Sequence, residues 1–143
     1  MDRGSRGLML LAAVAATAAM AACGSDSGTG PSGPPAALVG AWDLATVQYG
    51  GVPIPDASGT LNLCADGHYT AQITATALGG TETDSGTYAV TGTSWTQQSK
   101  AGNPDAVGTY AIANDTLTIN ESVEQQPITI AWAKTSDTCG QLP

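Results

Sequence analysis

The chain has 143 residues, with 12 Asp plus Glu against 4 Lys plus Arg and a formal charge of −8. That length suits one domain rather than two, and the acidic balance excludes nucleic acid, whose phosphates call for clustered Lys and Arg. One His and three Cys are too few for most zinc or haem sites, so neither metal nor cofactor is expected.

The first segment, 1–22, has Arg3 and Arg6 near its start, and residues 8–22 are apolar apart from Thr17. A bilayer span takes about 20 apolar residues. The shorter run, with its basic start and small-residue end, reads as a secretory signal peptide. Met20-Ala21-Ala22-Cys23-Gly24 resembles the bacterial lipobox, in which an aliphatic residue and two small ones precede an obligatory Cys. The resemblance implies a diacylglyceryl group on the Cys23 sulfur and cleavage just before it. It also implies an envelope lipoprotein, and Gly24, standing where an Asp would hold the protein back, implies the outer membrane. Two or three acyl chains give stable anchoring where one does not. Cleavage removes Asp2, Arg3 and Arg6, leaving 11 acidic residues against Lys100 and Lys134, so the mature side chains sum to −9. The acyl chains, not the protein face, then supply the membrane contact. Residues 23–36 follow as the lipidated Cys and a Gly/Ser/Pro tether, and 37–143 form the folded domain.

Beyond residue 36 the apolar pattern alternates rather than recurring every 3.6 residues. Strands are expected at 39–49, 59–64, 68–77, 86–91, 93–99, 108–113, 116–121 and 127–134. Tyr69, Ala71, Ile73 and Ala75 alternate with Thr and Gln, as do Leu117 with Ile119 and Ile128, Ile130 and Trp132 with their polar or small neighbours. Trp42 and Leu44 share one face of the first strand and Val47 and Tyr49 the other, so a bulge between the pairs would turn both inward. Asp66-Gly67, Thr91-Gly92 and Asn114-Asp115 read as turns. Residues 79–85, with Glu82 and Asp84, read as a solvated acidic loop.

Gly86-Thr87-Tyr88-Ala89-Val90 recurs as Gly108-Thr109-Tyr110-Ala111-Ile112. Each copy reads as one hairpin, and successive hairpins predict an up-and-down antiparallel sheet. Eight short strands leave two edges, and closure into a barrel removes them. The fold class is therefore all-β, a single eight-stranded antiparallel up-and-down barrel. Leu38-Val39-Gly40-Ala41-Trp42 resembles the Gly-x-Trp opening of lipocalin-like (calycin) barrels. Gly50 to Pro55 and the Gly-x-Tyr hairpins resemble small bacterial members of that group. The resemblance implies structural roles for Gly40 and Trp42, with Trp42 closing the barrel floor. Larger lipocalins carry a helix after the barrel, for which this chain has no room, and a large cavity is not expected.

With Cys23 lipidated, Cys64 and Cys139 remain as a pair in an oxidising compartment, and a bridge between them would pin the C-terminal tail. Two free thiols are the alternative. His68 alternates out of phase with Tyr69 and is expected in solvent, away from acid-base work. No Ser or Cys has an identifiable base, so no enzyme is expected. Tyr69, Tyr88, Trp95, Tyr110 and Trp132 fall on inward faces and are the candidate ligand-binding residues; plain core filling is the alternative. The expected function is a monomeric envelope lipoprotein that binds a small apolar or amphipathic molecule. The alternative is a protein-binding module, such as a periplasmic protease inhibitor, or a structural lipoprotein of the envelope.

Overall fold

The computed structural model describes residues 33–140. The signal segment 1–22, Cys23 and the tether as far as residue 32 lie outside the described residues. The elements are β1 (Gly40–Tyr49), β2 (Val52–Pro53), β3 (Ser58–Leu63), β4 (His68–Ala75), a 3-10 turn (Thr76–Leu78), β5 (Gly80–Thr91), β6 (Ser94–Ser99), β7 (Ala106–Ala113), β8 (Thr116–Val123) and β9 (Gln126–Ser136). All pairings are antiparallel, β1 and β3 to β9 follow chain order around the sheet, and β9 returns to β1. The result is a closed eight-stranded up-and-down barrel, with β2 a two-residue ribbon on the end of β1.

One end of the barrel is plugged. Trp42 is buried there, and its indole N–H donates to the Leu38 carbonyl at 3.1 Å, with Leu38 itself wholly buried. The Lys134 ammonium sits 5.2 Å from the Trp42 ring centre and donates to the Ala37 carbonyl, tying β9 to the turn that precedes β1. Gly40 lies where β1 crosses β9, and a Cβ there would collide with the Ser136 carbonyl oxygen. These contacts place Gly40 and Trp42 at the barrel floor.

The β1–β9 register slips between Leu44 and Thr46. This bulge brings Trp42 and Val47 both to the interior although they lie on opposite faces of a regular strand. Tyr49, expected to follow Val47 inward, is instead 48% exposed at the open rim. Cys64, just after β3, is disulfide-bonded to Cys139, 75 residues later, with Cα atoms 5.1 Å apart. The Gly140 N–H donates to the Asn62 side-chain carbonyl at 3.1 Å, so the tail after β9 is held across the end of β3.

The acidic loop expected at 79–85 is a strand. β5 begins at Gly80, and Glu82 and Asp84 pair with Ile73 and Ala71 of β4. The segment hides its strand character because its inward side chains are carboxylates rather than hydrocarbons. Its outward Thr81 and Thr83 carry the β-branched signal instead.

Several hairpins use two-residue turns. Asn114 and Asp115 both have positive φ, the I′ pattern, as do Glu124 and Gln125 at φ 50° and 69°. Asn and Asp tolerate that conformation, whereas Glu and Gln gain nothing from it. Gln125→Gly is expected to stabilise the protein by about 0.5–1 kcal/mol, read as a higher urea midpoint at unchanged slope.

Candidate functional site

The interior divides along the barrel axis. Toward the plugged end Leu63, Tyr69, Tyr88, Trp95, Leu117 and Trp132 fill it, each at most 4% exposed. Tyr88 and Trp95 stack with ring centres 5.4 Å apart, and Tyr110 packs against Trp95 at 6.3 Å with its plane tilted. The repeated glycines make this packing possible. Gly86 lies opposite Tyr69 and Gly108 opposite Trp95. The ring on one strand therefore meets no side chain on the next, and a Cβ at Gly108 would strike the Asn120 carbonyl oxygen of β8.

Toward the other end the interior is hollow. A cavity of about 480 Å³ lies between walls formed by Val47, Leu61, Ala71, Ile73, Ile119, Ile130 and Trp132. Tyr49, Ile54, Leu78 and Ile128 surround it nearer the mouth, where Tyr49 and Leu78 are exposed. The volume falls in the lower half of the usual range for small-molecule sites, about 300–1,000 Å³. A shallower depression of about 240 Å³ lies on the outer wall beside the Asp66-Gly67 turn, between outward residues such as Thr87 and Gln98. It has about half the volume of the interior space, and Asp66, Thr87, Thr96 and Gln98 make up much of its lining.

The polar side chains lining the cavity include Glu82, Asp84, Gln97, Asn103, Glu121 and Glu124. Asp84 is saturated with donors. Its Oδ2 accepts from the Tyr69 hydroxyl at 2.6 Å and the Gln97 amide at 3.3 Å, and its Oδ1 accepts from the Ser85 N–H and the Ser99 hydroxyl. Burial raises the Asp84 pKa, but hydrogen bonds from Ser99, Tyr69, Asn103 and Ser85 outweigh it and hold the carboxyl below its ordinary value. The same burial, with the carboxylate beside it, pushes the Tyr69 hydroxyl up.

Glu121 is the opposite case. It faces inward from β8, in line with Gly108 and Trp95 across the sheet. Burial pushes its pKa up to about 7, the charge on Asp84 adds to the rise, and the approaching Trp95 indole N–H offsets part of it. That approach stops short of a well-formed hydrogen bond, since Glu121 Oε2 and Trp95 Nε1 are both buried without partners. The Trp132 indole nitrogen is a further buried donor without a partner.

Of the five candidate ligand-binding aromatics, Trp132 lines the cavity. Tyr69 touches it indirectly, through Asp84. Tyr88, Trp95 and Tyr110 belong to the packed half. His68 is exposed, its Nδ1 2.9 Å from the Asp66 carboxylate near the plugged end. The polar cavity residues that the sequence reading did not put forward as ligand-binding are Asp84, Gln97 and Glu121. The signal for Glu121 was present: the alternation that turns Leu117 and Ile119 inward places Glu121 on the same face.

A scan against protein-family models gives no match, and a search of curated proteins gives none. Among solved structures, the chain is similar to fatty-acid-binding protein 1 of Echinococcus granulosus, with a TM-score of 0.43 and 9% identity over 69% of this chain and 98% of that one. At that distance the likeness carries over neither ligand nor residue roles.

Proposed function

We propose that this protein is a lipid-anchored envelope protein whose barrel binds a small amphipathic molecule without transforming it. The observation that carries the reading is the cavity of about 480 Å³, apolar along its walls and open at a rim with exposed Tyr49 and Leu78. Apolar walls with a few convergent polar groups are the usual form of a small-molecule site. A carrier or sensor role fits walls that are mostly apolar, with the acceptor positions of Asp84 already taken by donors of the protein itself. The envelope location rests on the signal-like segment 1–22 and the lipobox-like Met20–Gly24. Its test is Cys23→Ser, which should move the protein from the membrane fraction to the soluble one.

Trp132 supplies the readout for binding. Titration with amphipathic probes should shift or quench tryptophan emission and saturate at one probe per chain. Ala71→Phe projects a ring into the cavity and should weaken that binding at least tenfold, at a stability cost of about 1–3 kcal/mol for overpacking. A folded protein that gives no saturable response to any probe would overturn the reading.

A further inference from the structure

The charged groups of the cavity are all of one sign. Glu82, Asp84, Glu121 and Glu124 line it, and no Lys or Arg does. In the chain beyond the signal-like segment the only basic residues are Lys100 and Lys134. Lys134 is committed at the plugged end, bonded to the Ala37 carbonyl and 2.9 Å from the Asp137 carboxylate. Lys100 lies in the exposed connection after β6 and does not line the cavity. The hollow therefore holds an ionised Asp84, whose acceptor positions are all occupied, beside a Glu121 carboxyl with an oxygen that nothing satisfies. A buried carboxylate without a cation or donor is costly.

We propose that the amphipathic molecule taken by this cavity is an organic cation, an apolar body bearing a protonated amine that docks on Glu121 within the field of Asp84. This rests on the reading of the barrel as a binder of small amphipathic molecules and deepens it. An ammonium donates to the open Glu121 oxygen, supplies the missing positive charge and leaves the hydrocarbon against Leu61, Ile119 and Ile130. A carboxylate ligand would instead add a fifth negative group to a lining without any positive one. A metal ion fits less well, because among the described residues no three His, Cys, Asp or Glu side chains are gathered as a metal site requires.

The test compares three probes of equal chain length, decylamine, decanol and decanoate, each below its micelle concentration and titrated by tryptophan fluorescence into the folded protein. Decylamine should bind at least tenfold tighter than decanol at pH 8, and decanoate more weakly than either. Glu121→Gln should reduce the amine affinity at least tenfold and abolish the preference for decylamine over decanol. A second readout needs no variant. The other ionisable groups of the lining are Tyr49, Glu82, Asp84 and Glu124, with Lys100 and Asp105 in the connection beyond the rim. Over pH 5.5 to 8.5 the amine stays charged while Glu121 ionises, so amine affinity should rise across that range and alcohol affinity should not. Equal binding of the three probes would overturn the cationic ligand and leave the binding cavity standing. Preference for decanoate would do the same. Absence of binding by all three, together with silence across the wider probe set, would remove both.

Discussion

Replacing Cys64 and Cys139 by serine is expected to destabilise the protein by about 4–5 kcal/mol. The bridge spans 75 residues, and closing a loop of that length restricts the unfolded chain by roughly that amount in the chain-entropy account. The folded barrel loses less. β3 and β9 both remain hydrogen-bonded on either side, and Gly140 still has Asn62 as acceptor. The effect therefore falls on the unfolded state, and the variant should keep the native strand content while its urea midpoint drops. Small domains stand about 5–15 kcal/mol above unfolding, so this loss removes a large share of the margin. Equal midpoints for the oxidised protein and the double variant would refute the assignment.

Glu121→Gln is expected to do the reverse. The folded carboxyl has a pKa of about 7 against an ordinary value of 4.5, so between those limits the folded state binds more protons than the unfolded one. Stability must then fall as pH rises from about 4.5 to about 7, by a total of about 3 kcal/mol, and stay flat above. Glutamine has no charge to bury. The variant should match the parent near pH 4.5 and exceed it by about 2–3 kcal/mol at pH 8. Asp84 acts in the other direction and outside this window. Its depressed carboxyl contributes stability above the ordinary Asp value, and that contribution is lost as pH falls through its folded pKa. Urea midpoints of parent and variant at pH 5 and pH 8 check the prediction, and a difference that does not grow with pH would refute it. An inward carboxyl that costs the empty barrel this much has a natural use if a ligand repays it.

The fold was legible because most of the barrel obeys a two-residue period. Leu117, Ile119, Ile128, Ile130 and Trp132 alternate with polar or small residues, and the bulge in β1 could be inferred from the face switch between Leu44 and Val47. The repeated Gly-x-Tyr units mark two successive hairpins, β5–β6 and β7–β8, as their spacing indicated. The candidate site was less legible. Aromatic residues were favoured because they are the largest inward groups, but size is what lets Tyr88 and Trp95 fill the plugged half. An empty region needs smaller neighbours, such as Ala71 and Val47, and these leave no distinctive mark in a sequence. Asp84 and Glu121 were passed over because a carboxylate on a half-polar strand is ordinarily a solvated one. Asp84 is placed by the pairing of β5 with Ala71 of β4, which the sequence of its own strand does not announce, whereas Glu121 follows the alternation of Leu117 and Ile119.

Closure of the barrel also bears on how the chain reaches its folded state. Seven of the eight seams join strands that follow one another in the chain, and these can form locally as hairpins or meanders. The eighth, β1 against β9, joins residues such as Trp42 and Lys134 from opposite ends of the domain. Contacts of such wide separation form only after most of the chain's freedom has been spent, and they slow folding accordingly. The bulge between Leu44 and Thr46 lies within this last seam, so the step that completes the barrel is also the one that must find the irregular register.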